Sequence, residues 1–170
     1  MSNITPNDAI LELYRTTVRN MLASTEPGVV PNASNKHASI IIEELIKSAK
    51  LRFFAYCGKL SCDVWSQTII DQLVLATMRG VDVQIIVADE INATLPPALK
   101  SAVRILNLSE IKDCRAAFEN INHFAVADGK SFRLEKDKTM RTAIFAANRP
   151  DVAREVEDIF AVLRENSNAA

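Results

Sequence analysis

Two apolar runs of strand length, "LRFFAYC" at 51–57 and "VDVQIIV" at 81–87, lie one helix-length apart. That spacing constrains the fold more than any other feature of the chain. The second run is almost free of polar residues, as in a strand covered on both faces. Between the runs, Asp63 is placed to cap a helix through "VWSQTIIDQLVLATM". Arg79-Gly80 closes that helix, and glycine suits the left-handed position just past a helix end. Strand, helix and strand in this order imply a parallel pair joined by a crossover on one face of a sheet.

The remaining elements extend this unit. Asn7 or Asp8 can cap a first helix in which Ile10, Leu11, Leu13, Tyr14, Val18, Met21 and Leu22 recur at helical spacing. "STEPGVVPNASN" reads as a loop, because the helix before it is too small to fold alone. Ser34 or Asn35 starts a second helix with Ile41, Ile42, Leu45, Ile46 and Ala49 as its apolar stripe. After the second strand come a loop from Asp89 to Thr94, a short helix opened by Pro96-Pro97, and a strand at "VRILNL". Residues 109–118 are ambiguous between loop and short helix. "INHFAVADGKSFRLE" reads as a strand, a tight turn at Asp128-Gly129-Lys130 and a second strand. A strand at "TAIFAAN" and a helix from about Asp151 to Arg164 complete the chain. The expected fold is α/β: a mixed, mainly parallel sheet flanked by helices, with an antiparallel hairpin at one side. It is expected to be a single domain over 1–170, with an N-terminal helix and loop to 35, a core over 36–166 and a short tail.

Composition narrows the function mainly by exclusion. The net charge of −1 gives no global field toward nucleic acid or an anionic membrane. Three irregularly spaced cysteines, Cys57, Cys62 and Cys114, do not suggest a disulfide framework. With only His37 and His123 as imidazoles, no metal site or cofactor is expected. Four glycines and no Gly-x-Gly-x-x-Gly argue against a nucleotide-binding loop. The first residues show no leader pattern and no apolar run approaches 18 residues, so the expectation is a cytoplasmic chain with reduced thiols.

In the order of its features the chain resembles one half of the phospholipase D superfamily over roughly Ile40 to Glu165. The features are the "LRFFAYC" strand, the helix leading into "ATMRGVDVQIIVADE", the "VRIL" strand and a strand closing on "VADGK". The resemblance implies a His-x-Lys-x-x-x-x-Asp strand and a downstream Gly-Ser-x-Asn. Its histidine attacks phosphorus, its lysine and asparagine hold phosphate oxygens, and no metal is required. Matching the aspartate to Asp128 puts Ile121 in the nucleophile position and His123 in the lysine position. The Gly-Ser-x-Asn element then falls on Phe145 to Asn148, with only the asparagine kept. Isoleucine cannot act as a nucleophile. Shifting the frame to make His123 the nucleophile puts Ala125 in the lysine place and Lys130 in the aspartate place. The resemblance thus implies a catalytically inactive domain that keeps the scaffold, with His123 in the phosphate pocket beside an apolar plug at Ile121.

No residue is a firm catalytic assignment; the candidates are His123, Asp128 and Asn148. Each has a plainer reading: a histidine bonded to backbone, the first residue of a hairpin turn, and a cap for the last helix. Ligand-binding candidates are Lys59, His123, Lys130, Arg133 and Arg141. Between 121 and 150 six cations stand against three acids, which could form a phosphate-facing rim or a solvated hairpin. Lys59, Asp89 and Glu90 are expected near one crevice, at the carboxyl ends of the parallel strands. Three functional readings follow. The first is a binding or regulatory module for a nucleic acid, another phosphate-containing ligand or a protein partner. The second is a metal-independent phosphodiesterase or nuclease using His123. The third is a protein-interaction subunit with a vestigial pocket. The resemblance also implies a homodimer, since active members pair two halves.

Overall fold

The computed structural model describes residues 5–89, 97–108, 120–137, 139–140 and 142–168. The expected loop from Glu90 onward, the ambiguous segment 109–118, Cys114, Lys138 and Arg141 lie outside them. The element order is α1 (Pro6–Ala23), β1 (Gly28–Asn32), α2 (Asn35–Ser48), β2 (Arg52–Cys57), α3 (Gln67–Met78), β3 (Asp82–Val87), α4 (Pro97–Ala102), β4 (Arg104–Asn107), β5 (Phe124–Ala127), β6 (Ser131–Asp137), β7 (Thr142–Ala147) and α5 (Pro150–Asn168). The seven strands form one sheet in the order β1-β7-β6-β5-β2-β3-β4.

The α/β class and the flanked mixed sheet are as expected; the balance of the sheet is not. Only β2·β3 and β3·β4 are parallel, and the other neighbours are antiparallel. Part of the difference is β1, which lies inside the stretch read as a loop and pairs with β7 from Gly28↔Ala147 to Asn32↔Ala143. Proline is tolerated there because β1 is an edge strand.

Caps account for the other shifts. Thr5, rather than Asn7 or Asp8, is the N-cap of α1: its side chain accepts from Asp8 N–H while the Asp8 carboxylate accepts from Thr5 N–H, a capping box. Ser34 caps α2, and Ser66 caps α3 in place of Asp63. The end of α3 follows expectation. Gly80 has φ +85°, Val81 N–H donates to Ala76 C=O and Gly80 N–H donates to Thr77 C=O, the Schellman pattern.

Side chains alternate across the sheet, and a core fills each face. On one side α1, α2 and α3 cover Phe53, Ala55, Ile85, Ala125 and Phe145. On the other α5 covers Phe54, Tyr56, Phe124, Val126 and Phe132, with Phe160 stacked on Phe54 at 4.7 Å. Ile121 packs into this second layer, so it is not a plug beside His123.

The two N-terminal helices are joined by charge. Glu43 and Glu44 are buried on α2 and receive Arg15 and Arg19 from α1 and Lys47 from their own helix. Burial pushes both carboxyls up, but the hydrogen bonds to Lys47 and Arg15, and to Arg19 and Arg15, outweigh it and leave both below the ordinary glutamate value. A lowered carboxylate stabilises the fold above its unfolded value and loses that contribution as pH falls through the folded one. Glu44→Gln should therefore cost about 2 kcal/mol at pH 7. That is below the usual penalty for breaking a buried pair, because Arg19 and Lys47 reach solvent. Urea titrations should show the difference from wild type shrinking as the pH is lowered below about 4.5; an undiminished difference at pH 3 would contradict the assignment.

Candidate functional site

A cavity of about 650 Å³ opens at the carboxyl ends of β2 and β3, beside the start of β5 and the first turn of α2. The β-ladder explains who faces it. Ala55, Ala125, Arg133 and Phe145 stand opposite one another across four strands, and Glu135, Ala143 and Asn32 form the next row on that face. Arg133 and Glu135 therefore both point under α2.

His123 stands at the mouth of β5. Its Nδ1 lies 3.1 Å from Glu135 Oε2, and that same oxygen accepts the His123 backbone N–H at 3.3 Å. Glu135 thus holds the imidazole through Nδ1 and fixes the orientation of the ring at the cavity mouth. Gly58 makes room for it: a Cβ there would lie 3.1 Å from Nε2 and 3.4 Å from Asp89 Oδ2. His123 Nε2 and the Asp89 carboxylate thus both lie against Gly58.

Arg133 is the second feature. Its Nε donates to Asn32 Oδ1 at 2.6 Å, and neither terminal nitrogen hydrogen-bonds to a described residue. Burial pulls its pKa below the ordinary value while Glu135 and Tyr14 oppose, and arginine remains charged at neutral pH. Lys59 lines the same cavity from the loop after β2 and is exposed. Ser34 and Asn35 add the N-terminal end of α2, a region of partial positive charge.

His123, Lys59, Arg133 and Asp89 thus share one cavity. Asp128, Lys130 and Asn148 do not. They lie at the other end of the sheet, roughly 17 Å away at about 3.3 Å per strand residue. Asp128 accepts the backbone N–H groups of Lys50, Leu51 and Arg52 at 2.8–2.9 Å. The Asn148 side-chain amide donates to the carbonyls of Met21, Ser24 and Glu26 instead of capping α5. The basic segment does not act as one surface: Arg133 points inward, Lys130 is at the turn, and Arg149 pairs with Asp151. Arg141 and Glu90 lie outside the described residues.

Glu135 and Asn32 went unremarked as site residues. Glu135 had a signal, since Arg133 and Glu135 share parity between the apolar Phe132 and Leu134. Asn32 had none, because its strand read as a loop. Cys57 also lines the cavity, but burial, followed by the charge of Asp89, pushes its thiol up to about 12, so it is no nucleophile at neutral pH. Among the described residues no group of three or more His, Cys, Asp or Glu side chains is placed to hold a metal ion.

No protein-family model matches the chain, and no curated protein sequence does. Solved structures do match. NucT from Helicobacter pylori shares 13% identity over 83% of this chain and 98% of its own, with a TM-score of 0.58. TrmBL2, an archaeal chromatin protein with a novel mode of DNA binding, shares 15% over 94% of this chain, with a TM-score of 0.57; the chain spans 60% of its length. Nuc from Salmonella typhimurium, a phospholipase D family member, shares 19% over 84% of this chain and 95% of its own, with a TM-score of 0.47. At these identities the likeness is one of fold alone, shared with NucT and with TrmBL2.

Two chemical tests separate cavity from scaffold. Iodoacetamide at pH 8 should alkylate the exposed Cys62 and leave Cys57 intact, read by peptide mass spectrometry. Asp128→Ala should lower stability by about 2 kcal/mol, through three backbone amides losing their acceptor, without changing anything that binds in the cavity.

Proposed function

We propose that this chain is a phospholipase D-like binding module whose cavity takes the phosphate of a larger ligand, and that it does so without catalysing phosphoryl transfer. The observation that carries the reading is Arg133. A mostly buried guanidinium whose terminal nitrogens hydrogen-bond to no described residue suits a ligand with two oxygens to accept them. Lys59 and the start of α2 add positive character around it. In the frame with His123 as nucleophile, the lysine position is Ala125, and its cross-strand neighbour is Arg133. Site chemistry is therefore rearranged, and the lysine beside the histidine on β5 is missing. The DNA binding of TrmBL2, which shares the fold, makes nucleic acid the first polymer to test. The reading takes the chain as one domain working as a homodimer, on the strength of the resemblance.

One observation favours a second reading, a metal-independent phosphodiesterase. Glu135 holds His123 by Nδ1, the arrangement that prepares a histidine for nucleophilic or acid–base work at Nε2.

Labelled single-stranded DNA, duplex DNA, RNA and inorganic phosphate, each with and without EDTA, test both. Binding without cleavage, weakened at least tenfold by Arg133→Ala and falling steeply with salt, is the expected result. Cleavage that persists in EDTA and disappears in His123→Ala would establish the second reading. No binding of any probe would overturn the first and leave a protein partner as the object of search.

A further inference from the structure

Arg133 reaches the cavity from the middle of a strand, on a long side chain with many rotamers, and something has to aim it. Among the described residues, only one accepts a hydrogen bond from it. Asn32, at the last position of β1, is 1% exposed. Its Oδ1 accepts from Arg133 Nε at 2.6 Å, and its Nδ2 donates to the Ser34 carbonyl at 2.9 Å. The amide is thus tied at both ends, one of them at the N-cap residue of α2. The backbone before it is held as well, because Tyr14 Oη donates to the Pro31 carbonyl at 2.9 Å. Binding the guanidinium through Nε fixes its plane and leaves the terminal nitrogens side by side, the edge that pairs with two oxygens of one group.

We infer that Asn32 is a positioning residue that turns the Arg133 fork toward the cavity and so selects ligands presenting two oxygens of a tetrahedral oxyanion. The inference rests on the phosphate-binding reading and adds to it the residue that sets the geometry. A lysine at 133 would keep the charge but could not be held through Nε and offers no fork.

The test is a set of 15N-labelled full-length proteins observed at the arginine Nε–H signals and titrated with inorganic phosphate. In wild type, the Arg133 signal should stand apart from the exposed arginines and move on titration. In Asn32→Ala it should merge with them, and phosphate affinity should drop about tenfold, the worth of one charge-assisted hydrogen bond. Arg133→Lys should lose as much. Asn32→Asp keeps an acceptor for Nε but adds a negative charge, so it should retain the separate signal while binding phosphate more weakly. Backbone amide spectra report folding. If Asn32→Ala does not fold, a folded Asn32→Asp that has lost the separate signal overturns the inference. Wild-type affinity in Asn32→Ala with binding lost in Arg133→Ala would also overturn it, while leaving the phosphate reading intact. Wild-type affinity in Arg133→Ala, or no phosphate binding by wild type, would remove both.

Discussion

The structure turns on a carboxylate that lies far from the cavity. Asp128 takes the backbone N–H groups of three consecutive residues, Lys50 to Arg52, at the entrance to β2. It does so from a two-residue turn in which Asp128 and Gly129 both have positive φ, 54° and 60°. Such a turn matches the twist of an antiparallel hairpin. One residue thus braces two registers that the ladders themselves carry, β5 against β6 and β5 against β2. A slip of one position would move every side chain of β5 to the opposite face. His123 lies just upstream of β5, and Glu135 is its partner on β6 only in this register.

The cavity draws on both kinds of sheet neighbour. The parallel strands β2 and β3 open onto it at their carboxyl ends, where crossover connections leave a crevice. Their connections bring Lys59 and Asp89 to it, while the antiparallel half adds His123 before β5, Arg133 and Glu135 on β6, and Asn32 on β1 as partner of Arg133. Two of these groups are held by partners on other strands, His123 by Glu135 and Arg133 by Asn32.

How much of this could be read in advance depends on the range of the interactions. The crossover unit was legible because its signals are local: an apolar strand, a helical stripe, and Gly80 where a left-handed residue is needed. The strand β1 was not, because Pro31 and Gly28 carry loop character and its pairing partner is more than 100 residues away. The motif frame misled for a similar reason. Asp128 was matched as a site carboxylate, yet its hydrogen bonds run to residues 76–78 positions earlier, and no spacing rule shows that. His123, Lys59 and Arg133 were found as single residues; their partners Glu135 and Asn32 come from cross-strand geometry. The expected excess of parallel strands failed because the hairpin and the hidden edge strand shift the count.

The outer margin of β1 has a consequence for assembly. An edge strand normally offers free amide and carbonyl groups on which another chain can build. At Pro31 there is no N–H to offer, and the carbonyl is already occupied by the Tyr14 hydroxyl. A helix side chain and an imino acid together close that margin at its centre. Peptides or further copies that would lengthen the sheet past β1 find no continuous ladder there, so strand addition at this margin is interrupted at its centre.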